Sequence, residues 1–152
     1  MMLHPSLGAI LVVSLTISAG CRKSPPPLVA VEGSITLDGR PLPRASILLF
    51  PTFKGFGSDL IALATADDKG RFQLECGLGK GACIGTYKAT VTEAPVPPDL
   101  MRNSRNGDVK IRQFYDDLPN RPIPVRFGDL ATTPLQIEIV QGKTSYELSL
   151  KR

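Results

Sequence analysis

Apolar and polar residues alternate along most of the chain after residue 28, a pattern typical of strands that bury one face. Strands are predicted at residues 28–37, 45–50, 60–65, 71–76, 84–92, 134–139 and 146–150. Turns rich in Gly, Pro and Asp separate these segments, so the pattern predicts an all-β fold, an antiparallel β-sandwich of seven strands. The last two segments are expected to form a hairpin around Gln141-Gly142-Lys143.

The alternation is interrupted at residues 93–124, a proline-rich insertion. Within it, four apolar residues follow the i, i+3, i+4, i+7 spacing of an amphipathic helix: Ile111, Phe114, Tyr115 and Leu118. Asn106 or Asp108 could cap the start of this helix, and Pro119 ends it. We expect one short helix that lies across the mouth or an edge of the sandwich.

The first twenty residues have the features of a secretory signal peptide. Residues 7–19 form an uncharged apolar run, which is shorter than a membrane span and has the length of a signal-peptide core. The small residues Ser18-Ala19-Gly20 follow, as a signal peptidase requires. No Lys or Arg precedes the run, and an uncleaved membrane anchor is the less favoured interpretation.

The residues at the end of this signal, Ala19, Gly20 and Cys21, resemble the lipobox of bacterial lipoproteins, although Ser18 departs from it. The resemblance implies that residues 1–20 are removed and that Cys21 carries diacylglycerol and a further acyl chain such as palmitate. Residues 21–28 then form a stiff, Pro-rich tether. The chain would be exported and anchored to the cell membrane or outer membrane, on the periplasmic or surface side. Ordinary secretion with an unmodified Cys21 is the alternative.

Composition narrows the chemistry available to residues 29–152, the predicted domain. The chain has 152 residues with a formal net charge of +4, and its single histidine, His4, lies in the predicted signal peptide. Loss of that histidine would exclude most general-base catalysis and most zinc sites. Arg102 and Arg105 belong to a mild basic cluster that is diluted by nearby aspartates, so we expect no nucleic-acid partner.

Two cysteines, Cys76 and Cys83, flank the glycine-rich turn at residues 77–81 and are expected at the ends of two paired strands. A disulfide between them would persist in an oxidising compartment. The alternative is two buried thiols that pack as small apolar residues. A strand rather than a helix follows the glycine-rich turn, which argues against a phosphate-binding loop.

Asp67 and Asp68 could gather around a calcium ion together with Asp38 or Asp129. The favoured interpretation is a tight turn folded by the side chain of Asp68 before Gly70. We therefore expect no metal site and no cofactor.

Three segments resemble the carboxypeptidase regulatory-like domains of the transthyretin-like (prealbumin-like) superfamily. They are VEGSITLDGRPLPRASILLFP (31–51), DDKGRFQL (67–74) and GTYKATV (85–91). The C-terminal part of the chain is similar to small lipoproteins of planctomycete-type bacteria, so the resemblance covers residues 29–150. It implies a Greek-key sandwich and an accessory, adhesive or scaffolding role. Related enzymes that hydrolyse 5-hydroxyisourate depend on histidines, which this domain lacks.

Together these features predict a non-catalytic, lipid-anchored module of the cell envelope with a structural or interaction role. The predicted interaction surface is in the insertion and comprises Phe114, Tyr115, Arg102 and Arg105. Its partner would be a cell-envelope protein or a glycan. The alternative is a carbohydrate- or small-ligand-binding module in which Phe53, Phe56 and Tyr115 act as stacking surfaces.

Overall fold

The structure is a computed structural model that describes residues 24–98 and 107–152. Its strands are β1 (Leu28–Val29), β2 (Glu32–Leu37), β3 (Arg40–Pro41), β4 (Ala45–Pro51), β5 (Ala62–Thr65), β6 (Arg71–Gln73), β7 (Glu75–Cys76), β8 (Gly79–Lys80), β9 (Ala82–Cys83), β10 (Gly85–Glu93), β11 (Gln136–Ile139) and β12 (Ser145–Leu150). Helix α1 spans Gly107–Asp116, and 3-10 turns span Gly57–Leu60 and Val125–Phe127.

Two sheets carry most of these strands. The larger sheet has the order β11-β10-β4-β5-β7-β8, and every neighbouring pair in it is antiparallel. In the smaller sheet β2 is central, with β12 on one edge and β3 and β6 on the other. The inward faces of both sheets supply the buried core, so the fold is all-β and consistent with the predicted sandwich.

The last strand does not form the predicted hairpin. β11 pairs with β10, whereas β12 crosses to the other sheet and pairs in parallel with β2, from Ser145 opposite Glu32 to Leu150 opposite Leu37. The hairpin around residues 141–143 and the wholly antiparallel arrangement were therefore wrong. The physical reason is that β12 covers an edge of β2 that would otherwise expose unpaired backbone groups.

The predicted strand at residues 71–76 is divided between the two sheets. β6 pairs with β2, and β7 pairs with β5 in the larger sheet. Between them, buried Leu74 donates its backbone N–H to the carbonyl of Val31 over 2.9 Å. This crossing joins the two sheets along one side and keeps the alternation of buried Phe72 and Leu74 intact.

Tyr87 is the largest fully buried side chain of the core. Its hydroxyl donates a hydrogen bond to the backbone carbonyl of Cys83 over 2.9 Å, so the buried phenol is satisfied. Burial raises the pKa of Tyr87 well above its ordinary value, with a further contribution from Cys83 and Cys76. The phenol therefore acts as a neutral structural donor at physiological pH.

The amphipathic helix of the insertion is present as α1. Its apolar stripe, which runs to Leu118 beyond the last turn, is half-buried, while Asp108, Val109 and Gln113 on the other side are exposed. After Asp116, the backbone N–H of Leu118 donates to the carbonyl of Tyr115, and Pro119 follows. Of the two predicted caps, Asp108 lies in the first turn and Asn106 lies outside the described residues.

Gly33 provides a test of the parallel pairing, because it lies opposite Tyr146 with Phe72 on its other side. A Cβ atom at residue 33 would lie 2.3 Å from the Tyr146 carbonyl oxygen and 2.6 Å from the Phe72 ring. We expect Gly33→Ala to lower the free energy of unfolding by about 1–3 kcal/mol in urea denaturation, as overpacking does. Ser34→Ala, one residue along, should cost less than about 1 kcal/mol. Equal effects would argue against β12 beside β2.

Candidate functional site

The two ends of the domain differ in composition. We call the end formed by residues 24–28, 52–60, 77–78 and 140–144 the tether pole, because the chain joins the domain there. The opposite end, formed by Arg44, Ala94, α1, residues 118–122 and Arg152, is the far pole. β4 runs between the poles, so they lie roughly 20 Å apart, which is the length of seven extended residues.

At the far pole, the aromatic residues of α1 point toward the sheets. The Tyr115 hydroxyl donates to the carbonyl of Ala94 over 2.8 Å, and burial raises the pKa of Tyr115. The guanidinium of Arg44 lies over the Phe114 ring, 5.7 Å from its centroid. The Phe114 and Tyr115 rings meet edge to face, with their centroids 5.4 Å apart. Phe114 and Tyr115 therefore secure the helix to the domain and are half-buried in doing so.

Arg121 fastens the end of the insertion to the sheets. Its Nε donates to Glu93 Oε2 over 2.8 Å, and its Nη2 donates to the carbonyl of Pro43 over 2.6 Å. A third bond, from Nη1 to the Pro119 carbonyl, is 3.2 Å long. The Arg121 side chain is 9% exposed and that of Glu93 is 31% exposed, so the ion pair is partly desolvated and well directed.

The C-terminus is held at the same pole. Asp38 accepts hydrogen bonds from the backbone N–H of Arg152 and from its guanidinium, and these contacts hold the pKa of Asp38 below its ordinary value. Arg152 also donates to Asn120 Oδ1, and Asn120 Nδ2 donates to the carbonyls of Leu37 and Arg40. The insertion, the β2–β3 turn and the chain end thus form one polar cluster.

At the tether pole, the residues after the predicted lipidation site pack against the domain. Ser24 and Pro26 line an open groove of about 520 Å³ together with Phe53 and Phe56. The backbone N–H of Ile84 donates to the carbonyl of Pro27 over 2.9 Å. Residues 24–27, part of the stretch that the sequence predicts to be a stiff, Pro-rich tether, therefore lie along the domain.

The groove is built around Phe53. The Phe53 ring packs edge to face on Tyr87 at 5.7 Å and on Phe56 at 6.3 Å. Gly85 permits this approach, because a Cβ atom there would lie 2.4 Å from the ring. Three large hydrophobic residues at this pole are exposed: Leu28 at 37%, Leu78 at 44% and Val140 at 36%.

The structure separates the three aromatic residues that were predicted to act together in ligand stacking. Phe53 and Phe56 lie at the tether pole, while Tyr115 lies at the far pole. Strand β4 stands between them, so a single stacking surface with all three residues is not formed. Cys21, Arg102 and Arg105 lie outside the described residues.

Both cysteines in the described part of the chain, Cys76 and Cys83, are free. The expected pairing of their strands was wrong, because Cys76 lies opposite Gly79 in a short hairpin and Cys83 lies opposite Leu28. The sequence predicts one turn over residues 77–81, whereas the backbone reverses at Gly77-Leu78. Burial raises the pKa of the Cys83 thiol, which keeps it neutral and poorly nucleophilic at physiological pH.

The predicted aspartate turn is present, but Asp67 folds it. One oxygen of Asp67 accepts the backbone N–H groups of Lys69 and Arg71, each over 2.8 Å, and the other accepts the Arg71 Nε. These bonds lower the pKa of Asp67. Asp129 similarly accepts the backbone N–H of Ala131. Among residues 24–98 and 107–152, no group of three or more metal-ligating side chains comes together.

Two further observations concern the helices of the chain and its similarity to known proteins. In the part that the structure describes, no helix is long and apolar enough to cross a membrane. Comparison of the chain with known protein families, with curated proteins and with solved structures finds no match. Function must therefore be argued from the residues and their arrangement.

Glu93, Asn120 and Arg121, which attach the insertion to the sheets, were not predicted from the sequence. Their partners are mostly backbone carbonyls more than 25 residues away, and a carbonyl carries no side-chain signal. Asn120 carries the one local signal, because its φ is positive and Asn adopts this conformation more readily than most residues do.

Substitution of Arg121 tests whether this fastening is important. We expect Arg121→Ala to lower the free energy of unfolding by about 1.5–3 kcal/mol, the usual range for hydrogen bonds to charged groups. Arg121→Lys should recover only part of this, because an ammonium cannot reproduce the planar fork. The control is Arg112→Ala on the exposed side of α1, which should stay within about 0.5 kcal/mol of wild type in urea denaturation. Similar losses for both alanine variants would contradict the assignment.

Proposed function

We propose that the chain is a lipid-anchored module of the cell envelope that acts by contact rather than by catalysis. In this proposal residues 1–20 are a signal peptide, Cys21 carries the lipid, and the domain at residues 29–152 is exported on the periplasmic or surface side of the cell membrane or outer membrane. The carboxypeptidase regulatory-like resemblance and its Greek-key connectivity belong to the same proposal.

The observation that carries the proposal is the position of the tether relative to the insertion. Ser24 lies at the tether pole, three residues after the predicted lipidation site. The insertion folds at the opposite pole, where α1 is secured to Arg44 and Ala94. A domain anchored in this way turns one pole to the membrane and presents α1 away from it.

The roles of the ionisable groups at the poles favour contact over catalysis. Asp67 folds a turn and binds Arg71, Asp38 binds Arg152, and the Tyr87 phenol is deep in the core. Glu93 is committed to Arg121. The predicted mature chain has no histidine to act as a base near neutral pH.

The outward side of α1 is the proposed contact surface. Phe114 and Tyr115 are directed inward, so the exposed side presents Val109, which is 68% exposed, next to Lys110 and three residues before Arg112. Arginine is enriched in protein interfaces relative to the rest of the protein surface. We propose this surface for an envelope partner in place of the predicted one, which comprised Phe114, Tyr115, Arg102 and Arg105.

Metabolic labelling tests the anchor. In cells that express the full chain and are fed a fatty-acid analogue, we expect label on the wild-type protein in the membrane fraction. Cys21→Ala should lose the label, because the thioether can form only at that thiol. Cys76→Ala is the matched control and should retain the label. Unlabelled wild-type protein, or label that persists in Cys21→Ala, would show that the anchor proposal is wrong.

Site-specific photo-crosslinking tests the contact surface. We expect a photoreactive residue in place of Val109 to form discrete adducts with envelope components in intact cells, because this side chain points away from the domain. A photoreactive residue in place of Leu63, which is 47% exposed on the outer face of β5, is the control. Adducts that are the same at both positions, or absent at Val109, would contradict the proposed surface.

A further inference from the structure

The chain between the predicted lipid and the domain is very short. Cys21 and Ser24 are three residues apart, and three extended residues span at most about 11 Å. Ser24 lines the groove at the tether pole, and the next residues run along the domain, where the Pro27 carbonyl is bonded to Ile84. With Cys21 in the bilayer surface, the tether pole therefore lies within about 11 Å of the lipid headgroups.

The tether pole carries exposed apolar side chains, which are suited to a position close to the bilayer. Leu78 is 44% exposed at the tip of the β7–β8 hairpin, and Leu28 is 37% exposed. Leu28 lies beside the hairpin, because its Cδ2 atom is 3.3 Å from the position that a Cβ atom on Gly79 would take. Phe56 lies half-buried in the same groove as Ser24. Apolar side chains at the surface of an exported domain are stabilised when they enter the headgroup region of a bilayer.

The charges near the tether are mainly positive. Arg22 and Lys23 separate the predicted lipidation site from Ser24, and Lys54 lines the groove. Asp59, in the neighbouring 3-10 turn, is the nearest acidic residue in that loop, and its backbone carbonyl receives the N–H of Gly77. Basic residues at a membrane surface attract anionic headgroups.

We infer that the tether pole is a membrane-contact surface, in which Leu28, Leu78 and Phe56 enter the headgroup region of an anionic bilayer and Lys54 pairs with lipid phosphates. This inference rests on the lipid anchor proposed above, which brings the pole to the membrane. The contact in turn fixes the orientation of the domain and directs α1 away from the bilayer.

Tryptophan fluorescence provides a direct test, because the chain contains no Trp. Leu78→Trp places a probe at the tether pole, and Val125→Trp, at a residue that is 89% exposed, places the control probe near the far pole. Val125 begins the turn whose Arg126 binds the carbonyl of Lys151. Both variants are purified from membranes with their native modification and reconstituted in phosphatidylglycerol-containing vesicles with brominated acyl chains.

We expect bromolipid to quench Leu78→Trp at least about twofold more than Val125→Trp, since interfacial apolar residues lie roughly 5–10 Å into the headgroup and acyl boundary. Phe56→Trp should behave like Leu78→Trp. Equal quenching at the two poles in acylated protein would overturn the inference. Retention of the chain on a glycan array that is lost in Phe56→Ala, with no quenching at the tether pole, would assign the groove to a glycan instead.

Failure of the anchor can be distinguished from failure of the contact. The mass of the purified protein shows whether Cys21 is acylated, independently of fluorescence. If it is not, the unmodified chain is titrated with the same vesicles, and quenching of Leu78→Trp without quenching of Val125→Trp still supports the contact, while its absence overturns it. In this titration Lys54→Glu should weaken binding about fivefold or more, and Lys110→Glu on α1 should not.

Discussion

The parallel pairing of β12 with β2 is the constraint on which the rest of the structure depends. Because the two strands run in the same direction, both begin at the tether pole and both end at the far pole. The N-terminal tether therefore joins the domain at one end, and the C-terminal Arg152 leaves it at the other, where it binds Asp38. If β12 paired with β11 instead, β2 would have an open edge and Arg152 would have no reason to lie beside Asp38.

The far pole shows how the described parts of the insertion, residues 93–98 and 107–124, are held against the ends of the sheets. Arg121 pairs with Glu93 at the end of β10, and the Tyr115 hydroxyl donates to the carbonyl of Ala94, the residue after that strand. Most of the remaining bonds go to backbone carbonyls that the strand ends leave unpaired, including that of Pro43. The insertion thereby satisfies the polar groups at the end of the sheets, and the side of α1 that faces away stays available.

Sequence periodicity predicted the local elements well. Each of the seven predicted segments contains a strand, Tyr87 and its alternating neighbours Ala89 and Val91 are buried, and the stripe that ends at Leu118 forms one side of α1. Partner choice could not be predicted in this way, because alternation shows which face is buried and not which strand lies beside it. For that reason the hairpins assigned to β11–β12 and to Cys76–Cys83 were wrong, and the fastening by Arg121 was missed.

The two poles differ in the kind of contact that stabilises them. Polar contacts are concentrated where the insertion and the C-terminus meet, and this end is held together by Asp38, Glu93 and Arg121. Aromatic packing dominates the other end, where Phe53 lies on Tyr87 and Gly85. A pole that is stabilised by its own ion pairs gains little from contact with lipid, whereas a pole with exposed Leu28 and Leu78 reduces its apolar surface when a bilayer covers it. In the proposed lipid-anchored orientation, the short tether brings to the membrane the end whose side chains benefit from it.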